Sequence, residues 1–249
     1  MVYLLLFVLG AVFGSFYNVL IYRIPKGMSI AYPPSHCPNC KVPIKWYDNI
    51  PIVSYLMLKG RCRNCKSKIP LRYPLVEMAS GLLAVICFYK WGFSLSALVF
   101  YIFFSTLLVL SMIDWDTFSL PEPIILGGIL FGFTTSVFRS DFSLFESFVG
   151  AMSGALPFLL IYLYYTKIRK MEGLGFGDVE LMAFIGSVAG IWGVIGAVFL
   201  GSIIGLTYAI PTILKNKNIN FAIPFCPFLS LGCFLAVIFD LKKLFLIGF

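Results

Sequence analysis

Histidine is nearly absent: His36 is the only one in 249 residues. Without a second histidine the chain cannot build an HExxH metal site. A lone histidine ahead of a cysteine pair is also a poor base for a serine or cysteine nucleophile, which removes those routes to hydrolysis. Charge is scarce as well. Charged residues make up 12% of the chain, about half the share of an ordinary soluble domain. Only 11 residues are acidic, so each can be weighed individually. The first apolar run has no Lys or Arg before it and no small-residue cleavage site after it, which argues against a cleaved signal peptide and predicts a retained helix over residues 1–24. No internal repeat or low-complexity segment breaks the pattern.

Apolar residues are abundant. They reach 60% of the chain, with 26 Phe and 13 Tyr, more than a globular core requires and suited to a lipid-facing surface. The expectation is an all-α polytopic membrane protein of about eight transmembrane helices. The apolar runs fall at 2–22, 74–91, 95–113, 123–138, 143–165, 178–190, 192–214 and 221–240, each near the roughly 20 residues a bilayer needs. The border between the sixth and seventh is indistinct, so six or seven spans also fit. Gly14, Ser15 and Asn18 share one side of the first run, as close packing against another helix requires.

Basic residues cluster between the runs. Ten lie from Arg23 to Arg72, three at Lys167, Arg169 and Lys170, and two at Lys215 and Lys217. Because they flank apolar runs, the positive-inside rule explains them more simply than nucleic-acid binding. Eight spans place these fifteen in the cytoplasm, with both termini outside, and leave Lys90, Arg139, Lys242 and Lys243 opposite.

The only sizeable polar piece, residues 25–73, separates the first helix from a membrane domain over 74–249. So small a piece needs a staple. Cys37-Pro38-Asn39-Cys40 and Cys62-Arg63-Asn64-Cys65, with 21 residues between them, form a CxxC pair of pairs that suits tetrahedral zinc. Two disulfides are the competing reading; a reducing cytosol and nearby basic residues favour thiolates instead. Four thiolates leave no open position for water, so the site reads as structural. Cys87, Cys226 and Cys233 lie in apolar runs and read as small buried hydrophobes. His36 caps the first knuckle or sits in solvent.

Among the acids, Asp48, Glu77, Asp141, Glu146, Glu172 and Asp240 fall in loops or at run ends and read as solvated or paired surface charges. Asp114 closes a long apolar run in Ser111-Met112-Ile113-Asp114-Trp115-Asp116, ahead of a Leu120-Pro121 turn. Asp178 opens another run after Gly173-Leu174-Gly175-Phe176-Gly177. An ionisable residue in a span costs about 2.5–3.5 kcal/mol on insertion scales and so usually has a purpose. Two carboxylates brought together hold one proton between them. One then activates a water while the other protonates a peptide carbonyl. The glycines before Asp178 give an extended peptide room beside it. Simpler roles stay open: Asp178 as a cap of its own helix, Asp114 as an interface residue, and Asp116 or Glu180 as rivals for the catalytic positions. A transporter would want acids near mid-membrane and broken helices in matching halves, and neither is visible. A zinc-stapled adaptor explains the cysteines but not the paired aspartates.

In their order these motifs resemble the type IV prepilin peptidases, leader peptidases of the GxGD aspartyl protease group. Gly14-Ser15-Phe16-Tyr17-Asn18-Val19 with Arg23 and Pro25, the four cysteines, Asp48-Asn49-Ile50-Pro51, Gly60-Arg61-Cys62, Arg72-Tyr73-Pro74-Leu75-Val76-Glu77, Ile113-Asp114 with Leu120-Pro121, and Gly175-Phe176-Gly177-Asp178 carry the likeness. Glu122 stands where that family commonly has Asp, and Glu180 where it commonly has Lys. The resemblance implies a bacterial inner-membrane enzyme with catalytic Asp114 and Asp178. It would cut basic leaders from type IV prepilins or type II secretion pseudopilins at the cytoplasmic face. It also implies a cytosolic zinc domain at Cys37, Cys40, Cys62 and Cys65, and N-methylation of the new terminus with S-adenosylmethionine, an activity to which Gly60 is linked. No Gly-rich dinucleotide fingerprint is present. A basic leader meets a basic loop here, so the substrate's apolar helix is expected to supply most of the binding.

Overall fold

The computed structural model describes residues 1–171, 173–216, 223–241 and 243; Glu172, Lys217 and Lys242 lie outside them. The regular elements among the described residues are all helices, with isolated bridges at His36–Pro43 and Arg61–Lys68. Helix α1 is Val2–Arg23, α2 Val53–Met57, α3 Arg72–Trp91, α4 Leu95–Thr117, α5 Glu122–Phe138, α6 Leu144–Leu163, α7 Phe176–Asn216 and α8 Cys226–Ile238. Among the described residues five helical segments are long and apolar enough to cross a membrane: Val2–Lys26, Arg72–Trp91, Leu95–Thr117, Leu144–Arg169 and Phe176–Leu214. Helices α5 and α8 are apolar but shorter.

Two of the expected apolar runs meet inside α7. Gly190, at φ 66° and ψ −170°, interrupts the helical backbone there. Only glycine adopts that conformation readily, so a break that hydropathy left indistinct is set by one residue. A second difference concerns Asp114 and Asp116. The apolar run was expected to end at 113, but α4 continues to Thr117 and both acids lie in its last turns. Hydropathy marks where a helix turns polar, not where its backbone hydrogen bonds stop.

The chain forms two compact units, Met1–Tyr101 and Ile102–Phe249. In the first, α1 packs on α3 through small residues. A Cβ at Gly14 would fall 2.6 Å from the Glu77 Cα, so only glycine allows this approach. Ser80 Oγ donates to the Gly10 carbonyl at 2.7 Å, and Asn18 Nδ2 donates to the carbonyls of Gly14 (3.3 Å) and Tyr73 (3.1 Å). Bonds of this kind bind helices together where lipid removes the hydrophobic drive for association.

In the second unit α7 is the central element, packed against α5, α6 and α8. Phe103, Leu110, Ile113, Leu181, Phe184, Ile185 and Leu229 are fully buried, and the Phe103 and Phe184 rings meet edge-on at 5.1 Å. Helix α6 begins with a reciprocal cap between Ser143 and Glu146 and loosens after Leu163 into a π-helical turn, Tyr164–Arg169. Pro121 precedes α5 and Pro123 occupies its first turn, where proline costs nothing.

Candidate active site and cysteine cluster

Helix ends build the acidic site of the second unit. Asp114, 7% exposed, reaches the N-terminus of α8. Its Oδ2 accepts the backbone N–H of Cys226 at 3.0 Å, and the N–H of Phe225 also bonds to it. These amides have no partner within their own helix, and the helix dipole favours an anion beside them. Asp178 lies three residues beyond Gly175 in the first turn of α7 and accepts that glycine's backbone N–H, half of a capping box. Asp178 therefore does not take the N-cap position expected as its simpler role, since α7 already begins at Phe176, and its bond to Gly175 fixes the side chain in place.

The two carboxylates lie within electrostatic reach of each other, and both act on Cys226. The loops converge as well: a Cβ at Gly177 would meet the Leu120 side chain at 3.1 Å. Asp116 is exposed. Glu180 Oε2 is buried without a hydrogen-bond partner, and Glu122 is its electrostatic neighbour. Cys226, read as a buried hydrophobe, is buried, but its backbone holds Asp114. The Phe225-Cys226-Pro227 start of α8 was the available signal.

The first unit gathers the four cysteines. Their Sγ atoms all lie within 4.8 Å of one another, and Cys37 and Cys65 are 3.8 Å apart. A tetrahedral ion with metal–sulfur bonds of about 2.3 Å puts its ligands about 3.8 Å apart, so the cluster fits a metal ion. All seven cysteines are free. The two knuckles repeat one geometry. Lys41 N–H bonds to the Cys37 carbonyl and Lys66 N–H to that of Cys62, both lysines at φ 59°. Ser67 Oγ, 3.1 Å from Cys65 Sγ, pulls that thiol down to about 6, and backbone N–H bonds, first that of Cys40, hold Cys37 below the usual thiol range. Asp48 grips Arg63 through both carboxylate oxygens, at 2.6 and 2.8 Å.

Beside the knuckles lies a cavity of about 430 Å³ lined by α1, the cysteine segment and the start of α3. Asn18 and Glu77 line it, 4% and 8% exposed. The expectation that Glu77 is a solvated or paired surface charge is wrong. It lies on the buried side of α3, where the glycines of α1 let the two backbones close over it. Its Oε2 accepts the Ile52 N–H at 2.7 Å, and Ser15 is its side-chain partner. Asn18 Oδ1 is buried with no partner. Gly60, at φ 66°, stands against Tyr55, whose hydroxyl would be 2.8 Å from a Cβ there; Tyr55 also lines the cavity. The remaining acids behave as expected where described: Asp141 pairs with Arg139 and Asp240 with Lys243.

Comparison with known sequences now decides the family. Residues 8–91 match the bacterial peptidase A24 N-terminal domain, and residues 101–210 the type IV leader peptidase family. A Pseudomonas putida protein named prepilin leader peptidase/N-methyltransferase is 32% identical over 255 aligned residues, covering 93% of this chain and 88% of that protein. The chain belongs to the type IV leader peptidase family. Proteins of the same name from Klebsiella pneumoniae (39% identical, 74% of this chain and 84% of that protein) and Neisseria gonorrhoeae (35%, 82% and 79%) are also similar. No solved structure matches.

Proposed function

We propose that this chain is a membrane-embedded aspartic endopeptidase that removes basic leader peptides from type IV prepilins or pseudopilins at the cytoplasmic membrane face. Asp114 and Asp178 are its two catalytic carboxylates. One observation supports the reading: with 63 residues between them in sequence, the two aspartates lie at helix ends within electrostatic reach of each other, each accepting a backbone N–H.

The chemistry follows from that arrangement. The pair holds one proton. Its ionised member takes a proton from water as the water oxygen attacks the scissile carbonyl carbon. The protonated member gives its proton to the carbonyl oxygen. Collapse of the tetrahedral adduct returns a proton to the departing nitrogen, leaving a carboxylate on the leader and a free amine on the mature chain. Phe225 and Cys226 N–H keep Asp114 oriented throughout, and the Gly175 N–H does the same for Asp178.

The four cysteines hold a structural Zn²⁺ that staples residues 25–73. The relatives' shared name supports a second activity, N-methylation of the amine that cleavage exposes. S-adenosylmethionine supplies, when bound, a methyl group on a positively charged sulfur. Eight spans, with residues 25–73 in the cytoplasm, accommodate the five long helical segments, the break at Gly190 and the two shorter apolar helices. Asp114→Asn and Asp178→Asn test the protease reading: each keeps the side-chain shape and is expected to abolish leader cleavage.

A further inference from the structure

Helix α2 is two-sided. Ser54 and Tyr55, with Leu58 just after the helix, line the cavity of the first unit. Val53, Leu56 and Met57 line no part of it. They stand at i, i+3 and i+4, on one side of the turn, and all three are exposed, Leu56 at 67% and Met57 at 76%. Trp46 is exposed too, in a short helical turn, Trp46–Asn49, that packs on α2. Single exposed apolar residues are ordinary, but a contiguous set marks a contact with a partner or a membrane.

The depth of α2 decides between these. Its N-cap residue, Ile52, donates its backbone N–H to Glu77 Oε2 at 2.7 Å. Glu77 lies in the second turn of α3 and is the one charged residue between Arg72 and Lys90. Five residues of helix put it about 7.5 Å in from Arg72. Helices that lie in a membrane surface bury their apolar side about 5–10 Å into the boundary between headgroups and acyl chains. The start of α2 is therefore pinned at that depth beside a helix long and apolar enough to span. The exposed apolar stripe of α3, Leu75, Met78 and Leu82, runs onward from the same level. Charge agrees with the placement. Lys59 and Arg61 follow α2 directly and are exposed. Asp48 is the only acid between Arg23 and Arg72 outside the two helices, and Arg63 pairs with it, so the segment presents positive charge to anionic headgroups. Tryptophan is the residue most at home in this layer. We infer that α2 is an interfacial anchor: Val53, Leu56 and Met57 enter the acyl boundary of the bilayer while Lys59 and Arg61 meet anionic lipid headgroups. The cysteine segment is then held flat on the membrane and does not swing from its two tethers. The inference rests on the reading of α3 as a membrane span.

Fluorescence quenching of the full-length protein, one chain per lipid nanodisc of phosphatidylcholine and phosphatidylglycerol, tests the assignment. Leu56→Trp and Met57→Trp each place a reporter on the exposed side of α2, and Leu82→Trp places one on the stripe of α3. Emission is read as the difference from the wild type, which removes the four native tryptophans. An unchanged unfolding midpoint shows that each variant is folded. Lipid brominated on its acyl chains should quench the reporters at 56 and 57 by about half or more, as befits side chains at the acyl boundary, and acrylamide in the water should barely reach them. Discs of phosphatidylcholine alone should quench position 56 less and position 82 equally. Equal quenching at 56 in the two lipids would overturn the role given to Lys59 and Arg61. If acrylamide quenches 56 and 57 while bromine quenches only 82, α2 faces water and the anchor is overturned with the span intact. Protection from both quenchers at 56 and 57 would mean that protein covers the face, which overturns it equally. If bromine fails to quench 82 as well, the span reading of α3 falls with it.

Discussion

The cysteine segment and the helical bundle hold their polar groups by different means. In the first unit the groups come from short stretches of chain. Each knuckle closes on itself through backbone bonds at Lys41 and Lys66, and the four thiols then meet over one gap between knuckles. On the proposed zinc reading, the strength of such a site lies in the ion, because the segment around it has little apolar core of its own. In the second unit nothing local brings Asp114 and Asp178 together. Packing of the helices against α7 does so, with glycines permitting close contact, and free backbone amides at the starts of α7 and α8 orient the carboxylates. The knuckles are therefore vulnerable to loss of a ligand, and the acidic pair to any change that moves a helix end.

The largest effects test the acidic pair. Asp114→Asn and Asp178→Asn should each lower leader cleavage at least about a thousandfold, the scale of a lost general acid or base, with zinc content unchanged. Asp116→Asn should do much less, because that side chain is exposed at the last turn of α4; gel or mass-spectrometric assays of a prepilin substrate separate the cases. Next in size is Cys65→Ser, which removes one of four ligands. Elemental analysis should show most of the zinc gone, and methyl transfer should fall by more than leader cleavage does. If cleavage falls as far as methylation, the contrast between the units fails.

A smaller effect is expected at the break in α7. Gly190→Ala forces a side chain into a conformation reserved for glycine and should cost about 1–3 kcal/mol of stability, read as a lower unfolding midpoint in detergent. The smallest effect concerns pH. Arg63, by hydrogen bond and charge, holds the Asp48 carboxyl below the usual carboxylate range. A carboxyl depressed on folding adds stability above its ordinary value of about 3.9 and loses it as pH falls through the depressed one. On acidification the wild type should therefore lose more of its unfolding midpoint than Asp48→Asn, and equal losses would remove the pair from the account. The pair is exposed on the Arg63 side, so salt should blunt the difference.

Much of this was legible in the sequence because the signals were local. CxxC spacing predicts a four-sulfur cluster. Apolar runs predict the helices, and Gly14 with Asn18 predicts the packed face of α1. The two aspartates were legible as unusual residues at run ends, with motifs that set them in order. What could not be read depends on long-range placement. Glu77 sits near the start of an apolar run, where surface charges are common; only the packing of α1 on α3 buries it. Cys226 looked like filler in an apolar stretch, yet its backbone N–H holds a carboxylate 112 residues earlier in the chain. Gly190 was one glycine among several near the border of two runs, and φ alone distinguishes it.

The account's central claim is that two carboxylates distant in sequence act as one catalytic unit. Mass spectrometry of a prepilin-type substrate with a basic leader, after incubation with purified wild-type, Asp114→Asn or Asp178→Asn protein and S-adenosylmethionine, tests it most directly. The account predicts a shortened, methylated product from the wild type and an intact substrate from both folded variants. A shortened product from either variant at the wild-type rate would contradict it.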